Sequence, residues 1–137
     1  MISFGASLLS YLLVFFIFIV AVVAAIVIGA FIAKEKYGVD DPEILSAIAY
    51  HTTGHPDMTL MDKIIFVADY IEPNRKIIRD LPEIRKEAFI DLDRCIIHIL
   101  KNTLEYLKDK EYVIDETTEE TYYFYVDNNV MNELDKF

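Results

Sequence analysis

The sequence predicts an all-α protein in which a long apolar helix precedes a small bundle of helices. Residues 1–33 contain no Asp, Glu, Lys or Arg, so the whole net charge of −10 lies in the later part of the chain. That later part repeats apolar side chains at the three- and four-residue steps of amphipathic helices. Asp, Thr and Pro stand where its helices should begin. We therefore divide the chain into an apolar segment, residues 1–33, and a helical domain, residues 34–137.

The apolar run covers residues 8–33, and its only polar side chains are Ser10 and Tyr11. A helix needs about 20 apolar residues to cross a bilayer, and this run is longer. We predict that residues 8–33 enter the membrane as one transmembrane helix. Lys34 and Lys36 follow the run, which predicts a single-pass membrane protein with a cytoplasmic C-terminal domain. A buried helix of a globular core is the alternative.

Four helices are predicted after the apolar segment. Asp41 is the expected N-cap of the first, and Thr59 with Asp62 resembles a capping box at the start of the second. Residues 121–126 belong to the fourth helix or, by composition alone, to a strand. Cys95 is expected to be a small buried apolar residue. The predicted bounds are residues 42–53, 60–71 and 80–108, with a last helix from residue 115.

Composition excludes several classes of function. An acidic chain lacks the clustered Lys and Arg that bind a nucleic-acid backbone, so we expect no nucleic-acid partner. A single cysteine can form neither an intrachain disulfide nor a Cys-based zinc site.

His51 and Asp69 are the residues whose chemistry suits a metal. They lie near the ends of two consecutive predicted helices, and we expect the turn between those helices to bring their side chains together. Imidazole and carboxylate together are suitable ligands for iron, manganese or zinc. The alternatives are a His51 that is hydrogen-bonded to a carbonyl and an Asp69 that pairs with Lys63 or Arg75.

Residues 47–75, AIAYHTTGHPDMTLMDKIIFVADYIEPNR, closely resemble the signature of the YqeK-type HD-domain proteins. The likeness extends to residues 29–44 and, more loosely, to residues 102–110. These proteins are symmetrical bis(5'-nucleosyl)-tetraphosphatases, which split diadenosine tetraphosphate into two molecules of ADP. The resemblance implies a truncated HD-domain helical bundle, a hydrolase activity and a dinucleoside polyphosphate substrate.

The resemblance also implies roles for individual residues. It makes His51 and Asp69 ligands of iron or of another divalent transition metal, and it makes Asp69 and Lys63 catalytic. A homodimer is a further hypothesis. The substrate-binding residues that it implies are Thr52, Thr53, Lys63, Glu72 and Arg75.

The sequence also departs from the family. His55 stands where an arginine is common, and His98 has the surroundings of a packing histidine. No histidine precedes His51, so at least three of the metal ligands that the family implies have no counterpart. We therefore interpret the N-terminal part of the HD domain as missing and replaced by the apolar segment.

Two functional hypotheses follow from these departures. The first is a metal-dependent phosphohydrolase whose activity is impaired by the missing ligands. The second is a membrane-anchored, non-catalytic remnant of an HD domain that binds nucleotide or a protein partner. A shifted reading frame upstream of Gly29 would create the same junction, in which case the apolar span is an artefact and the protein is cytoplasmic.

Overall fold

The computed structural model describes residues 4–76 and 78–134, without the side chains of residues 4–7, 18–27 and 130–134. Within these ranges the chain forms six helices and no strand, which confirms the all-α prediction. The helices are α1 (Phe4–Tyr37), α2 (Pro42–Tyr50), α3 (Leu60–Tyr70), α4 (Leu81–Glu87), α5 (Leu92–Asp109) and α6 (Glu116–Leu134).

The end of α1 packs against α2. A Cβ atom placed on Gly29 would lie 3.5 Å from Cγ2 of Ile48, which is ordinary van der Waals contact between the two helices. Gly38 follows the last residue of α1 and ends the helix: it adopts a left-handed φ of 67° and donates its N–H to the Lys34 carbonyl at 3.1 Å. The connection to α2 is therefore short, and the two helices are neighbours.

The prediction of a single-pass membrane protein anchored by residues 8–33 is wrong. Among the residues that the structure describes, no helix is long and apolar enough to cross a membrane. The end of the apolar run packs on α2 instead, where Gly29, Ala30 and Ala33 are partly buried. The predicted boundary after residue 33 falls inside α1, and the division into two domains stays a prediction.

The starts of α2 and α3 follow the predicted caps. The Asp41 carboxylate accepts the backbone N–H of Glu43 at 2.9 Å, and Thr59 and Asp62 form a complete capping box. The end of α2 lies earlier than predicted, at Tyr50. Residues 51–53 form a turn instead, which leads to Gly54 in the left-handed region.

The helix predicted over residues 80–108 is broken into α4 and α5. Asp91 has an extended backbone, and its carboxylate accepts the N–H of Arg94 at 3.0 Å, so it is the N-cap of a new helix. Residues 121–126 lie within α6 and are helical rather than extended. Just before α6 begins, the Asp115 carboxylate accepts the N–H of Thr117 at 2.8 Å.

The hydrophobic core lies between α3, α4, α5 and α6. Burying each large aliphatic or aromatic side chain contributes about 1.5–3 kcal/mol, so this cluster is the main source of stability. Cys95 is fully buried, as predicted, and burial raises the pKa of its thiol to about 12. The buried cluster comprises Met58, Phe66, Val67, Ile84, Cys95, Ile96, Ile99, Leu100 and Tyr125.

Candidate functional site

His51 follows the last residue of α2 and is partly buried. Its ring nitrogen Nδ1 lies 2.8 Å from the carbonyl oxygen of Ile48. Since a carbonyl only accepts, Nδ1 carries the proton and donates it. A neutral imidazole in this tautomer keeps a lone pair on Nε2, which is the state that a metal ligand needs. His51 can therefore donate a hydrogen bond from Nδ1 to the Ile48 carbonyl and still bind a metal through Nε2.

Asp69 lies near the end of α3, with 51% of its side chain exposed. Its partner is Arg75: Oδ2 of Asp69 forms an ion pair with Nη2 of Arg75 at 3.7 Å. Nη2 of Arg75 also donates to the backbone carbonyl of Asp69 at 3.1 Å. The apolar neighbours of Asp69 in the sequence suggested a buried carboxylate, which would be unfavourable. The carboxylate is instead half exposed and paired with Arg75, so that cost does not arise.

No hydrogen bond or ion pair joins His51 to Asp69 in the described part of the chain. The loop connects the end of α2, where His51 lies, to the beginning of α3, whereas Asp69 is near the far end of α3. The first and last residues of α3 lie about 15 Å apart along the helix axis. A metal shared between His51 and Asp69 therefore stays a prediction.

The donor set does not by itself fit the metal centre that the resemblance implies. Within residues 4–76 and 78–134, no group of three or more His, Cys, Asp or Glu side chains is placed to hold a metal ion. His51 and Asp69 are two donors, and protein sites for transition metals typically use three or four protein ligands. We therefore derive no metal-dependent step from this geometry.

Lys63 cross-links three helices. Its ammonium Nζ lies 2.7 Å from Oδ1 of Asp93 on α5 and 5.3 Å from the ring centroid of Tyr125 on α6. Lys63 is thus held by a carboxylate and an aromatic face, away from Asp69, which lies on a different face of α3. A phosphate would have to compete with the Asp93 carboxylate for the Lys63 ammonium group.

The remaining predicted substrate-binding residues take part in local turns. Thr53 donates its hydroxyl to the Gly54 carbonyl at 3.0 Å, while Thr52 is exposed. The Glu72 carboxylate accepts the N–H of Asn74 at 2.9 Å. Their roles toward a substrate stay predictions.

Buried Asp62 and partly buried His55 form a polar pair that the sequence did not reveal. Oδ2 of Asp62 accepts the N–H and the hydroxyl of Thr59, both at 2.9 Å, and lies 3.1 Å from Nε2 of His55. Burial, the largest single influence, raises the pKa of Asp62, but the hydrogen bonds from Thr59, Ser46 and His55 together lower it below its usual value. At the position where the family commonly has arginine, His55 therefore supports the α2–α3 loop.

His98 was expected to be a packing histidine, and its ring in fact makes polar contacts on both sides. Nδ1 lies 2.9 Å from the Glu87 carboxylate, and Nε2 lies 3.5 Å from that of Asp80. The residue is partly buried, so it joins α5 to both ends of α4.

A cleft of about 680 Å³ lies beside the segment that contains Asp69 and Arg75. Tyr70, Arg75 and Arg79 line it from one side, and Asn102 and Tyr106 line it from α5. Sequence reasoning missed this cleft because its walls come from segments about 30 positions apart, and no local pattern reports their meeting. The only signal was the loose likeness of residues 102–110 to the same family.

Comparison with known proteins gives relatives of two kinds, symmetrical bis(5'-nucleosyl)-tetraphosphatases and probable nicotinate-nucleotide adenylyltransferase/Ap4A hydrolases. The chain is 45% identical over 95 residues to a symmetrical bis(5'-nucleosyl)-tetraphosphatase of Bacillus subtilis, a match that covers 69% of this chain and 50% of the relative. It is 40% identical over 108 residues to the protein of the same name in Staphylococcus aureus, with 76% of this chain and 55% of the relative covered. No protein-family model matches the chain.

A solved structure agrees with these relatives. It is the crystal structure of a predicted HD superfamily hydrolase involved in NAD metabolism from Clostridium acetobutylicum, 37% identical, with a TM-score of 0.71 over 74% of this chain and 53% of the other. The chain spans about half the length of the relatives it matches. Over the part that is matched, the protein is homologous to the HD-superfamily hydrolases, and three of its curated homologues are named symmetrical bis(5'-nucleosyl)-tetraphosphatases.

Proposed function

We propose that this protein is a phosphohydrolase that acts on dinucleoside tetraphosphates and splits diadenosine tetraphosphate symmetrically into two molecules of ADP. The observation that carries the proposal is the identity of 45% to relatives that are named for this reaction. Residues 47–75, which closely resemble the family signature, are part of the same similarity.

Arg75 is the best-placed residue for the polyphosphate. A guanidinium presents several donors in one plane, which matches the oxygens of a phosphate. Its Nε lacks a hydrogen-bond acceptor within the described residues, and a buried donor without an acceptor is unfavourable. Asp69 holds Arg75 from one side, so a phosphate bound to Arg75 would lie beside the carboxylate that we propose as catalytic.

The other predicted residues are assigned by resemblance. We propose that Lys63 assists catalysis by exchanging Asp93 for a phosphate oxygen, and that Thr52, Thr53 and Glu72 contact the substrate from the turns that follow α2 and α3. A dimer is also a proposal, which size-exclusion chromatography with light scattering tests directly.

A divalent metal belongs to the proposal as well. HD-domain hydrolases generally depend on one, and the resemblance implies iron. We propose His51 and Asp69 as its ligands from this chain. Because two donors do not fit a complete centre, titration of the purified protein with Mn²⁺ or Fe²⁺ measures whether it binds metal, with His51→Ala as the comparison.

Nucleotide or protein binding without turnover is the second candidate function. The observation that favours it is the lack of a three-donor group within the described residues. The two candidates differ in one measurement. Purified protein is incubated with diadenosine tetraphosphate and Mn²⁺ or Fe²⁺, and nucleotide release is followed beside the variants His51→Ala and Asp69→Asn. Turnover that both variants lose supports the hydrolase, whereas binding of the substrate without turnover supports the second function.

A further inference from the structure

The cleft beside Arg75 has the size and lining of a small-molecule site. Its volume of about 680 Å³ lies within the range of about 300–1,000 Å³ that is usual for ligand pockets. Apolar side chains, including Ile78 and Leu107, contribute to its walls, and a few polar groups converge on it. A ligand with an apolar or aromatic part would therefore fill it better than a free inorganic phosphate.

Two tyrosines provide aromatic surface in the cleft. Tyr106 is 55% exposed, and its ring is held in a T-shaped contact by Tyr112, with the centroids 6.3 Å apart. Tyr70 is half-buried under the Arg75 guanidinium, which lies 5.0 Å from its ring centroid. An exposed ring that is already held in place loses little conformational freedom when a flat ligand stacks on it.

Charged groups of both signs line the same cleft. Arg75 connects it to Asp69, while Arg79 and Glu105 form an ion pair at 2.9 Å along its wall. Asp109 adds a second carboxylate. Guanidinium groups bind phosphate oxygens, and carboxylates accept the hydroxyl groups of a ribose. Aromatic surface, cations and carboxylates in one cleft are the three kinds of group that recognise the base, the phosphate and the sugar of a nucleotide.

We propose that this cleft binds the nucleoside end of a nucleotide, with the base against Tyr106, the sugar toward Glu105 and Asp109, and the first phosphates on Arg75. The choice of nucleotide rests on the proposed function, and the cleft would hold one of the two equivalent adenosine ends of diadenosine tetraphosphate. Because Arg75 lies both in the cleft and next to Asp69, the polyphosphate chain would leave the cleft at Asp69.

Binding of ADP in the presence of EDTA tests this proposal apart from hydrolysis. Isothermal titration calorimetry is performed on the full chain, on Tyr106→Ala and on Arg79→Ala. We expect one ADP per chain and about a tenfold weaker affinity for Tyr106→Ala, the loss typical of one base-stacking ring. Arg79 holds the Glu105 carboxylate at 2.9 Å, so Arg79→Ala should also weaken ADP binding by releasing that carboxylate. The Arg79 side chain is 72% exposed, so the helical circular dichroism should stay unchanged.

The matched controls are Tyr123→Ala and Arg94→Ala. Tyr123 is as exposed as Tyr106, at 57%, but lies on α6, and Arg94 is an exposed arginine at the start of α5; neither lines the cleft. Both should bind ADP like the unchanged protein. ADP affinity that is equal in Tyr106→Ala, Arg79→Ala and the controls overturns the proposal, and so does the absence of ADP binding.

The proposed function and the cleft can fail separately. ADP binding that depends on Tyr106, without any hydrolysis of diadenosine tetraphosphate, supports the cleft and contradicts the hydrolase. Hydrolysis whose KM is the same in Tyr106→Ala and Tyr123→Ala supports the hydrolase and contradicts the cleft.

Discussion

At the scale of single residues, Asp62 has the environment with the clearest consequence for stability. Only 2% of the residue is exposed, and its carboxylate accepts hydrogen bonds from Thr59 that hold the start of α3. We expect Asp62→Asn to lower the free energy of unfolding at neutral pH by about 1–3 kcal/mol, because these bonds all reach one carboxylate oxygen, and an uncharged amide oxygen accepts weaker hydrogen bonds than a carboxylate. Urea denaturation followed by circular dichroism measures the change. Asp127→Asn, at an exposed position of α6, should change the free energy of unfolding by less than about 0.5 kcal/mol.

The pH dependence of this stabilisation has a definite sign. The folded pKa of Asp62 lies below the ordinary value of 3.8, so ionised Asp62 favours the folded state. Its contribution is fully present above that ordinary value and is lost as the pH falls through the lower folded value. The stability difference between the unchanged protein and Asp62→Asn should therefore be constant from neutral pH to about pH 5 and shrink below pH 3.8. A difference that grows on acidification contradicts this account.

Tyr125 connects α6 to the loop before α3. Its buried hydroxyl accepts the backbone N–H of Met58 at 3.0 Å, and burial raises the pKa of the phenol to about 12. Tyr125→Phe would leave that N–H without an acceptor, so we expect a loss of about 1–3 kcal/mol in the free energy of unfolding. Amide hydrogen exchange at Met58 should accelerate as well. Tyr123→Phe is the control, and an equal loss in both variants would show that the hydrogen bond is not the cause.

These residue contacts also show what the sequence could predict. The caps formed by Asp41 and by Thr59 with Asp62 were predicted, because each involves residues two or three positions apart. The pairs Lys63–Asp93 and Met58–Tyr125 were not, because 30 and 67 positions separate their members. Only the packed helices bring such residues together.

At the scale of secondary-structure elements, the break between α4 and α5 was the main error in the helical prediction. Apolar residues continue at helical spacing through residues 84–96, and periodicity alone predicts one helix there. Asp91 overrides it because its side chain caps a new helix, while Phe89 and Ile90 in the turn stay exposed. The caps of short helices compete with periodicity whenever an Asp, Ser or Thr lies inside the pattern.

The two left-handed glycines that follow α1 and α2 differ in their surroundings, which gives an element-scale prediction. Gly38 and Gly54 have φ values of 67° and 66°. A Cβ atom on Gly38 would meet no atom within 4 Å, whereas a Cβ atom on Gly54 would lie 3.0 Å from Cγ2 of buried Thr121. Alanine at either position costs about 1–2 kcal/mol for the backbone alone.

We expect Gly54→Ala to cost about 1 kcal/mol more than Gly38→Ala, because Thr121 is fully buried and has little room to move. Urea denaturation of the two single variants measures the difference. Adding Thr121→Ser to Gly54→Ala should reduce the extra cost, since it removes the methyl group in question. Equal losses for the two glycine variants would mean that α6 does not restrict this loop.

At the scale of the whole molecule, composition predicted the helical class and a long apolar first helix, but not what that helix contacts. Hydropathy measures transfer from water to an apolar environment and does not distinguish lipid from protein. The structure shows the end of α1 packed on α2, and no described helix meets the requirement for a membrane span. The motif around His51 and Asp69 was recognisable because it is local in sequence. The cleft beside it was not, because its walls are assembled by the fold.

The central claim is that the chain hydrolyses dinucleoside tetraphosphates symmetrically. Its most direct test is chromatographic separation of the nucleotides formed from diadenosine tetraphosphate by the purified protein with Mn²⁺ or Fe²⁺. The account predicts ADP as the only nucleotide product, and no ADP in the otherwise identical reaction with His51→Ala. Equal amounts of ATP and AMP, or ADP at the level of the His51→Ala reaction, would contradict it.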